Sequence, residues 1–174
     1  MAQTATVEVP DAAVPDCETF QNSMLIDEEN HGEERLTQSH KAEIAFADYV
    51  DGVRNPAADE DDGDDGGYDV RLSNGDTVDV KYTHYEDGRL LIPDYVAARC
   101  RADYYALVVI PSDEPNMAYL HGVVTAEDVK NTPTIEWTHN PCKKYEQDEL
   151  RPLSELPESD KEGALVAEAN AHVQ

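Results

Sequence analysis

The sequence is short of basic residues, with 13 Lys and Arg against 38 Asp and Glu and a formal net charge of −25. Disordered chains share such acidity, but 40% apolar residues and clear strand patterns argue against disorder in the middle of the chain. A protein that mimics nucleic acid would concentrate its acids, whereas here they are scattered over every polar face. That scatter favours a halophilic protein, archaeal or from an archaeal virus, because molar salt screens the repulsion between its carboxylates.

Cysteine is scarce, and no long apolar run is present. Cys17, Cys100 and Cys142 are odd in number and form no Cys-x-x-Cys pair, which favours a reducing cytoplasm over a disulfide framework. His139 and Cys142 lack the second close pair that would complete a zinc site. No apolar run has transmembrane length, and no cationic start precedes an apolar segment. We therefore expect a soluble, cytoplasmic protein that has no membrane partner.

The length of 174 residues predicts one domain with a substantial core. Residues 1–30 carry two prolines and many acids with little periodicity, so we interpret them as an acidic, loosely ordered arm. Residues 31–156 are expected to form a single α/β domain. Residues 157–174 are rich in alanine and acids and are interpreted as a C-terminal tail.

A partial apolar stripe at helical spacing predicts a helix over residues 31–50. Glu43 lies within this helix, beside Ile44 and Ala47, and is either a surface acid or part of a site. Residues 55–67 interrupt the pattern with proline, a block of acids and two glycines, which is typical of a solvated loop. The block lacks the spacing and terminal glutamate of a calcium loop.

The clearest pattern in the chain is a β-hairpin. Residues 68–72 and 77–83 alternate in character, and the turn between them contains the pair Asn74-Gly75, a strong hairpin signal. In the second strand Asp79 and Lys81 share one face, while the alternate apolar residues point to the other. Two opposite charges therefore stand side by side on the hairpin.

This hairpin is the candidate active site. Asp69 on the first strand is expected to approach Asp79, and Mg²⁺ in proteins takes one or two carboxylates while keeping several waters. Asp69, Asp79 and the carbonyl of Val80 are the predicted metal ligands. Lys81 would orient a water or offset phosphate charge, and Glu43 would bind a second metal or hold a water. The alternative interpretation is a cross-strand Asp–Lys ion pair on a solvated face.

Further strands follow the hairpin. Residues 104–110 form an apolar run typical of a central strand buried on both faces, and residues 117–125 predict another strand followed by a capped helix. Residues 94–101 predict a short helix that carries Arg99 and Arg101. These two basic residues either pair with nearby acids or contact the phosphates of a nucleic acid.

The order helix, strand, strand, short element, strand, with acids placed in this way, resembles the PD-(D/E)XK nuclease superfamily. Glu43 matches the first-helix glutamate, Asp69 the aspartate of the first motif, and Asp79-Val80-Lys81 the (D/E)-x-K motif. The resemblance covers roughly residues 36 to 125. It departs where Tyr68 replaces the motif's proline and where Asp rather than Glu stands at position 79. With Ala102-Asp103-Tyr104-Tyr105 included, the chain is similar to the domains of intron-type homing endonucleases and related phage or archaeal nucleases.

The resemblance implies a restriction-endonuclease-like fold, with a mixed central sheet flanked by helices. It also implies a Mg²⁺-dependent endodeoxyribonuclease, with Mn²⁺ as a substitute metal and DNA as the partner. Two alternatives stay open: a non-catalytic nucleic-acid-binding protein with a nuclease-like fold, and an acidic inhibitor that mimics DNA. The form of the substrate (duplex, junction, single strand or RNA) and the oligomeric state (monomer or homodimer) also stay open.

Overall fold

A mixed six-stranded sheet is the centre of an α/β fold. The computed structural model describes residues 4–13, 32–55, 66–138 and 140–157. Their helices and strands, in chain order, are β1 (Ala5–Glu8), α1 (Gly32–Val50), β2 (Val53–Arg54), β3 (Val70–Arg71), β4 (Thr77–Thr83), β5 (Leu90–Pro93), α2 (Asp94–Arg99), β6 (Tyr104–Val109), β7 (Met117–Thr125), α3 (Ala126–Asn131), β8 (Ile135–Trp137) and β9 (Asn140–Tyr145). The large sheet has the order β1-β7-β6-β4-β3-β2, in which β4 and β6 are parallel and the other pairs antiparallel.

Helix α1 covers one face of this sheet. Ala42 and Phe46 stand four residues apart on the helix and are fully buried, packed in one core cluster with Val78, Val80 and Val108 of the sheet. Alternation in β4 turns its valines toward α1 and its charged residues to the opposite face. The prediction of a helix that begins near residue 31 and ends at Val50 is confirmed.

Strand β6 lies between β4 and β7 and is buried on both faces, as its apolar run predicts. Ala106 and Val108 belong to the cluster under α1, while Tyr105 and Leu107 belong to a second core cluster on the opposite face. The chain reaches β6 from its parallel neighbour β4 by way of β5 and α2. This connection places a second layer over the face of β4 that carries Asp79 and Lys81.

The second layer contains a small antiparallel sheet of order β5-β9-β8. Leu90, Ile92 and Tyr145 from this sheet pack on Tyr105 and Leu107 of the large sheet. Helix α3 follows β7, and its start confirms the predicted cap, since Thr125 and Asp128 form a reciprocal capping box.

A buried lysine fastens α1 to other parts of the chain. Lys41 is 1% exposed, and its Nζ donates to the carbonyl oxygen of Pro115 at 3.0 Å and to Oδ1 of Asn116 at 2.8 Å. Its third partner, at 2.5 Å, is Oδ1 of Asp11. The side chain of Asp11 is 84% exposed. Burial of the ammonium group is tolerated because three oxygen atoms surround it.

Several sequence predictions differ from the structure at their boundaries. The first strand of the hairpin, expected over residues 68–72, is limited to β3 (Val70–Arg71). Residues 5–8, expected in a loose arm, form β1 along the open edge of β7, where Val7 lies opposite Ala118 and packs against the core. The alternating Ala-Thr-Val-Glu pattern of β1 is too short to stand out from the prolines that follow. The helix expected over residues 94–101 ends at Arg99, because Cys100 adopts a left-handed φ of 44° that stops it.

Several sequence predictions lie outside the described residues. They concern the arm from residue 14 to residue 30, the acidic loop over residues 56–65, Cys17, His139 and the tail beyond residue 157. Among the helices that the structure describes, none combines the length and the apolar character needed to span a membrane.

Candidate functional site

Asp79 and Lys81 lie on β4, on the face turned away from α1. Val78 and Val80 are buried under the helix, so the residues between and beyond them must point to the other side of the sheet. Asp79 is 7% exposed, and its Oδ1 lies 2.8 Å from Nζ of Lys81. The hairpin therefore presents a largely buried carboxylate and an ammonium group in direct contact, as the alternation predicts.

Asp69 comes just before β3 and is tied to β4 through its side chain. The pairing of β3 with β4 extends only as far as Val70 and Val78, and Asp69 donates its own N–H to the carbonyl of Val78 at 2.9 Å. Next along β4, the N–H of Val80 donates to Oδ2 of Asp69 at 2.7 Å. The carboxylate thus satisfies a backbone group that the short strand β3 does not reach.

Asp69 is electrostatically crowded. Burial raises its pKa well above the usual aspartate range, and the charges of Glu43 and Asp79 raise it further. The Val80 N–H and the Lys81 ammonium act in the opposite direction without offsetting this effect. Three carboxylates predicted from separate parts of the sequence therefore act on one another in the folded chain.

Glu43 is 7% exposed on α1 and is held by two neighbours. Its Oε2 accepts from Nη2 of Arg54 at 2.7 Å and from Nε at 3.2 Å, while Nδ1 of His40 lies 3.6 Å away. Arg54 Nη2 also lies 2.7 Å from Nδ1 of His40, which must accept this bond because a guanidinium can only donate. Although burial raises the pKa of Glu43, contacts with His40 and Arg54 bring it below the ordinary value.

Lys81 keeps its charge in this setting. Burial lowers its pKa, but the charge and hydrogen bond of Asp79 and the charge of Asp69 together raise it above the ordinary lysine value. Tyr95, in the first turn of α2, contributes in the same direction. The site therefore combines a permanent cation with carboxylates of unequal acidity, an arrangement that separates chemical roles between neighbouring groups.

The two arginines predicted to contact nucleic acid are both exposed, but they are placed differently. Arg99 is the last residue of α2, and Arg101 lies beyond the helix. A Cβ built on Gly67 would meet the Arg101 side chain at 2.8 Å. Arg101 is thereby packed against the backbone two residues before Asp69. No contact between Arg99 and the carboxylates is found among the described residues.

Sequence reasoning missed Arg54, His40 and Tyr95. The spacing of His40 and Glu43, three residues apart on a helix, could have placed these two on one face. Arg54 gives no comparable sequence signal, because its position depends on the antiparallel pairing of β2 with β3. Tyr95 is 69% exposed on α2, and its influence on the pKa of Lys81 depends on where the second layer lies.

The donor chemistry of the site suits a hard cation. Carboxylate oxygens of Asp69 and Asp79 are the ligands that Mg²⁺ and Mn²⁺ prefer, and a carbonyl such as that of Val80 belongs to the same class. Within the described residues, no three His, Cys, Asp or Glu side chains are grouped as a metal cage. A cation that keeps several water ligands needs only one or two carboxylates, so the pair Asp69 and Asp79 meets that requirement.

No protein-family model matches the chain, and no curated protein matches it either.

Proposed function

We propose that the protein is a metal-dependent nuclease that hydrolyses phosphodiester bonds in DNA. The observation that carries the proposal is that Asp69 is acted on by the charges of both Glu43 and Asp79, which lie on different elements, while Asp79 contacts Lys81. A chance Asp-x-Lys pair on an exposed strand would not bring two further acids to the same place. Metal-assisted phosphodiester hydrolysis uses carboxylates and a lysine in this way, because the carboxylates hold a cation and the cation and the ammonium group then act on one phosphate.

The arrangement of elements supports a restriction-endonuclease-like fold as part of this proposal. The chain passes from α1 through β2, β3 and β4 and then through β5 and α2 to β6. The helix, the two strands of the hairpin, the short helix and the next strand, on which the resemblance rests, follow in that order, with β2 and β5 in addition. Asp69 and Asp79 stand on the first and second arms of the hairpin, and Glu43 stands on the preceding helix, the places that the PD-(D/E)XK motif assigns to them.

Each residue has a defined role in the proposed reaction. Asp69 and Asp79, with the carbonyl of Val80, would hold Mg²⁺ or Mn²⁺. When bound, the cation lowers the pKa of a coordinated water and neutralises charge on the phosphate. The charged Lys81 orients the attacking water and stabilises negative charge as it develops on the phosphate oxygens. Glu43, fixed by Arg54, would hold a water or a second cation.

A second candidate function is favoured by one feature of the geometry. Asp79 already contacts Lys81 at 2.8 Å, and Glu43 already contacts Arg54 at 2.7 Å. These internal ion pairs compensate two of the three carboxylates without any metal. They favour a non-catalytic protein that keeps a nuclease-like fold and binds nucleic acid through other residues.

Cleavage separates these two functions. Purified protein is incubated with duplex, junction, single-stranded and RNA substrates in molar KCl with Mg²⁺ or Mn²⁺, under single-turnover conditions. We expect cleavage by the parent and loss of cleavage in Asp69→Asn and Asp79→Asn. Asp76→Asn is the matched control, since it removes an acid from the turn of the same hairpin.

Two results would contradict the nuclease. One is a folded parent that cleaves none of the substrates, which would favour the non-catalytic function. The other is an Asp79→Asn variant that cleaves as fast as the parent, which would place the chemistry at a different site.

The charge of the chain extends the proposal to its setting, a halophilic cytoplasm. With a net charge of −25, repulsion between carboxylates is strong at low ionic strength and is screened in molar salt, where the Debye length is about 3 Å. We expect the melting temperature to rise steeply from low to molar KCl. A melting temperature that stays flat over this range would contradict the halophilic setting and favour nucleic-acid mimicry as the reason for the acidity.

A further inference from the structure

The second layer differs sharply in charge from the rest of the chain. Residues 89–101 and 132–146, which supply β5, α2, β8 and β9, contain five Lys or Arg and three Asp or Glu. The remaining residues contain eight Lys or Arg and 35 Asp or Glu. A polyanion that approaches this protein is therefore repelled by most of it and attracted to one part.

The small sheet turns one face to the core and the other outward. Leu90 and Tyr145 are paired in register and both belong to the core, so their neighbours along each strand point outward. This alternation puts Lys144 on the outer face. Ile135 and Trp137 of β8 share that face, because Ile135 is paired with Cys142, two residues from Lys144.

Trp137 is the chain's single tryptophan, it is half-buried, and two cations lie over its ring. Cζ of Arg89 is 5.4 Å and Nζ of Lys144 is 5.0 Å from the ring centroid. Both cations are held by Glu146, at 2.8 Å from Nε of Arg89 and 3.1 Å from Nζ of Lys144. All three charged side chains stay between 28% and 40% exposed, so they are positioned without being withdrawn from solvent.

We propose that this outer face, defined by Arg89, Ile135, Trp137 and Lys144, is a docking surface for single-stranded nucleic acid. The inference rests on the proposed function, which identifies the polyanion as a nucleic acid. Bases of an unpaired strand stack on Trp137 and on the apolar surface of Ile135, and the phosphates between them contact Arg89 and Lys144. A duplex presents its phosphates but keeps its bases stacked inside, so it cannot use the aromatic ring in this way.

The docking surface belongs to the same layer as one wall of the candidate active site. Helix α2 continues directly from β5 and packs against both β5 and β9. Tyr95 at its start acts on Lys81, and Arg101 beyond its end packs on the segment that leads to Asp69. A strand held on the outer face is thereby held by the layer that borders the carboxylates.

The fluorescence of Trp137 provides a direct measurement of binding at this surface. The full-length Asp79→Ala protein is titrated, in EDTA to prevent cleavage, with an oligothymidylate of about 12 nucleotides, within the span that such surfaces cover. We expect the single strand to quench tryptophan fluorescence, and a duplex of equal length to do so weakly. For variants without tryptophan, binding is followed by the anisotropy of a labelled oligothymidylate.

The variants separate stacking from charge. Trp137→Ala is expected to weaken binding about 5- to 150-fold, the range that one lost stacking contact produces, whereas Trp137→Phe retains a ring and most of the affinity. Arg89→Gln with Lys144→Gln should reduce the slope of log affinity against log salt by about 0.7 for each cation. Lys130→Gln, an exposed lysine on α3, is the control for loss of charge and should bind like the parent.

Three results would overturn the inference. The first is binding that Trp137→Ala leaves unchanged, and the second is duplex binding that is as tight and as sensitive to the variants as single-strand binding. The third is a tryptophan signal that changes with protein concentration alone, together with a dimer in sedimentation, which would make a second copy the occupant. If the parent cleaves DNA and Trp137→Ala binds the single strand as tightly as the parent, the docking surface is contradicted and the nuclease function is retained. Binding at Trp137 by a parent that cleaves no substrate with any metal supports this inference and contradicts the nuclease.

Discussion

Two lysines that contact acids in this protein differ in their surroundings, since the side chain of Lys41 is 2% exposed and that of Lys81 is 31% exposed. Nζ of Lys41 donates to a carbonyl oxygen and an amide oxygen, and its one carboxylate partner, Asp11, is exposed. Nζ of Lys81 contacts the largely buried Asp79 and lies in the field of Asp69. The comparison teaches that the oxygen atoms around an ammonium group indicate the role of the lysine. Lys41 joins segments of the fold, whereas Lys81 compensates acids that repel one another.

The largest effect is expected at Lys81. Lys81→Met should lower the single-turnover cleavage rate about 10²- to 10³-fold, equivalent to about 2.7–4 kcal/mol, because one preorganised charge is lost from the reacting phosphate. It removes no oxygen ligand, so binding of Mn²⁺ followed by calorimetry should persist or become tighter. A variant that loses metal as completely as Asp79→Ala would mean that Lys81 holds the site together instead of acting on substrate.

Lys41→Met should leave the chemistry intact and lower the free energy of unfolding. The carbonyl of Pro115 and the amide oxygen of Asn116 would each lose a charged donor, and a loss of about 3 kcal/mol follows. Urea unfolding in molar KCl measures this loss. Lys130→Met, on an exposed part of α3, is the matched control and should stay within about 0.5 kcal/mol of the parent. A loss below about 1 kcal/mol for Lys41→Met would contradict the structural role assigned to Lys41 in this comparison.

Asp69→Asn should stabilise the protein as it abolishes cleavage. The raised pKa of Asp69 means that the folded state holds the proton more tightly than the unfolded chain does, so the parent loses stability as pH rises through the folded pKa. Asparagine removes this repulsion, and its Oδ1 can still accept from the N–H of Val80. We expect a gain of about 1 kcal/mol near pH 8, a usual size for one stabilising substitution.

The gain should shrink toward pH 4, close to the ordinary aspartate pKa, where the parent's Asp69 is also protonated. Unfolding of Asp69→Asn, Asp76→Asn and the parent at both pH values measures the difference. A gain that is equal at the two pH values would show that repulsion among the carboxylates is not its cause.

The smallest effect is expected at the exposed partner of Lys41. Asp11→Asn should lower the free energy of unfolding by less than about 1 kcal/mol, since its side chain is 84% exposed and its charge is screened. The effect should decrease further between low and molar KCl. If Asp11→Asn proved as harmful as Lys41→Met, the exposed ion pair would be the main contribution of Lys41, in place of its bonds to residues 115 and 116.

Local patterns in the sequence were sufficient to predict the hairpin and its neighbours. Side chains alternate along a β-strand with a period of two, so Asp79 and Lys81 must lie on one face of β4. The apolar run of β6 predicts that this strand is buried on both faces. The capping box at Thr125 and Asp128 is likewise complete within four residues. Such features depend on contacts between residues that are close in sequence, which is why they can be predicted without coordinates.

Features that join distant segments could not be predicted in this way. The contact of Arg54 with Glu43 follows from how β2 pairs with β3. The partners of Lys41 lie far from it in the sequence, one before it and two after it. The outer face of the small sheet depends on β5 pairing with β9. Nothing near Arg89 in the sequence predicts that Trp137 and Lys144 will lie beside it.

Strand β1 has a consequence for how the protein is made. Ala5 pairs with Leu120, so a strand that leaves the ribosome early finds its partner only after most of the domain has been synthesised. At elongation rates of about 5–20 residues per second, that interval is on the order of ten seconds. For that time Val7 lacks its place beside β7, and the nascent chain carries an unpaired β-strand. A chaperone that binds short extended segments would find β1 unpaired throughout this interval.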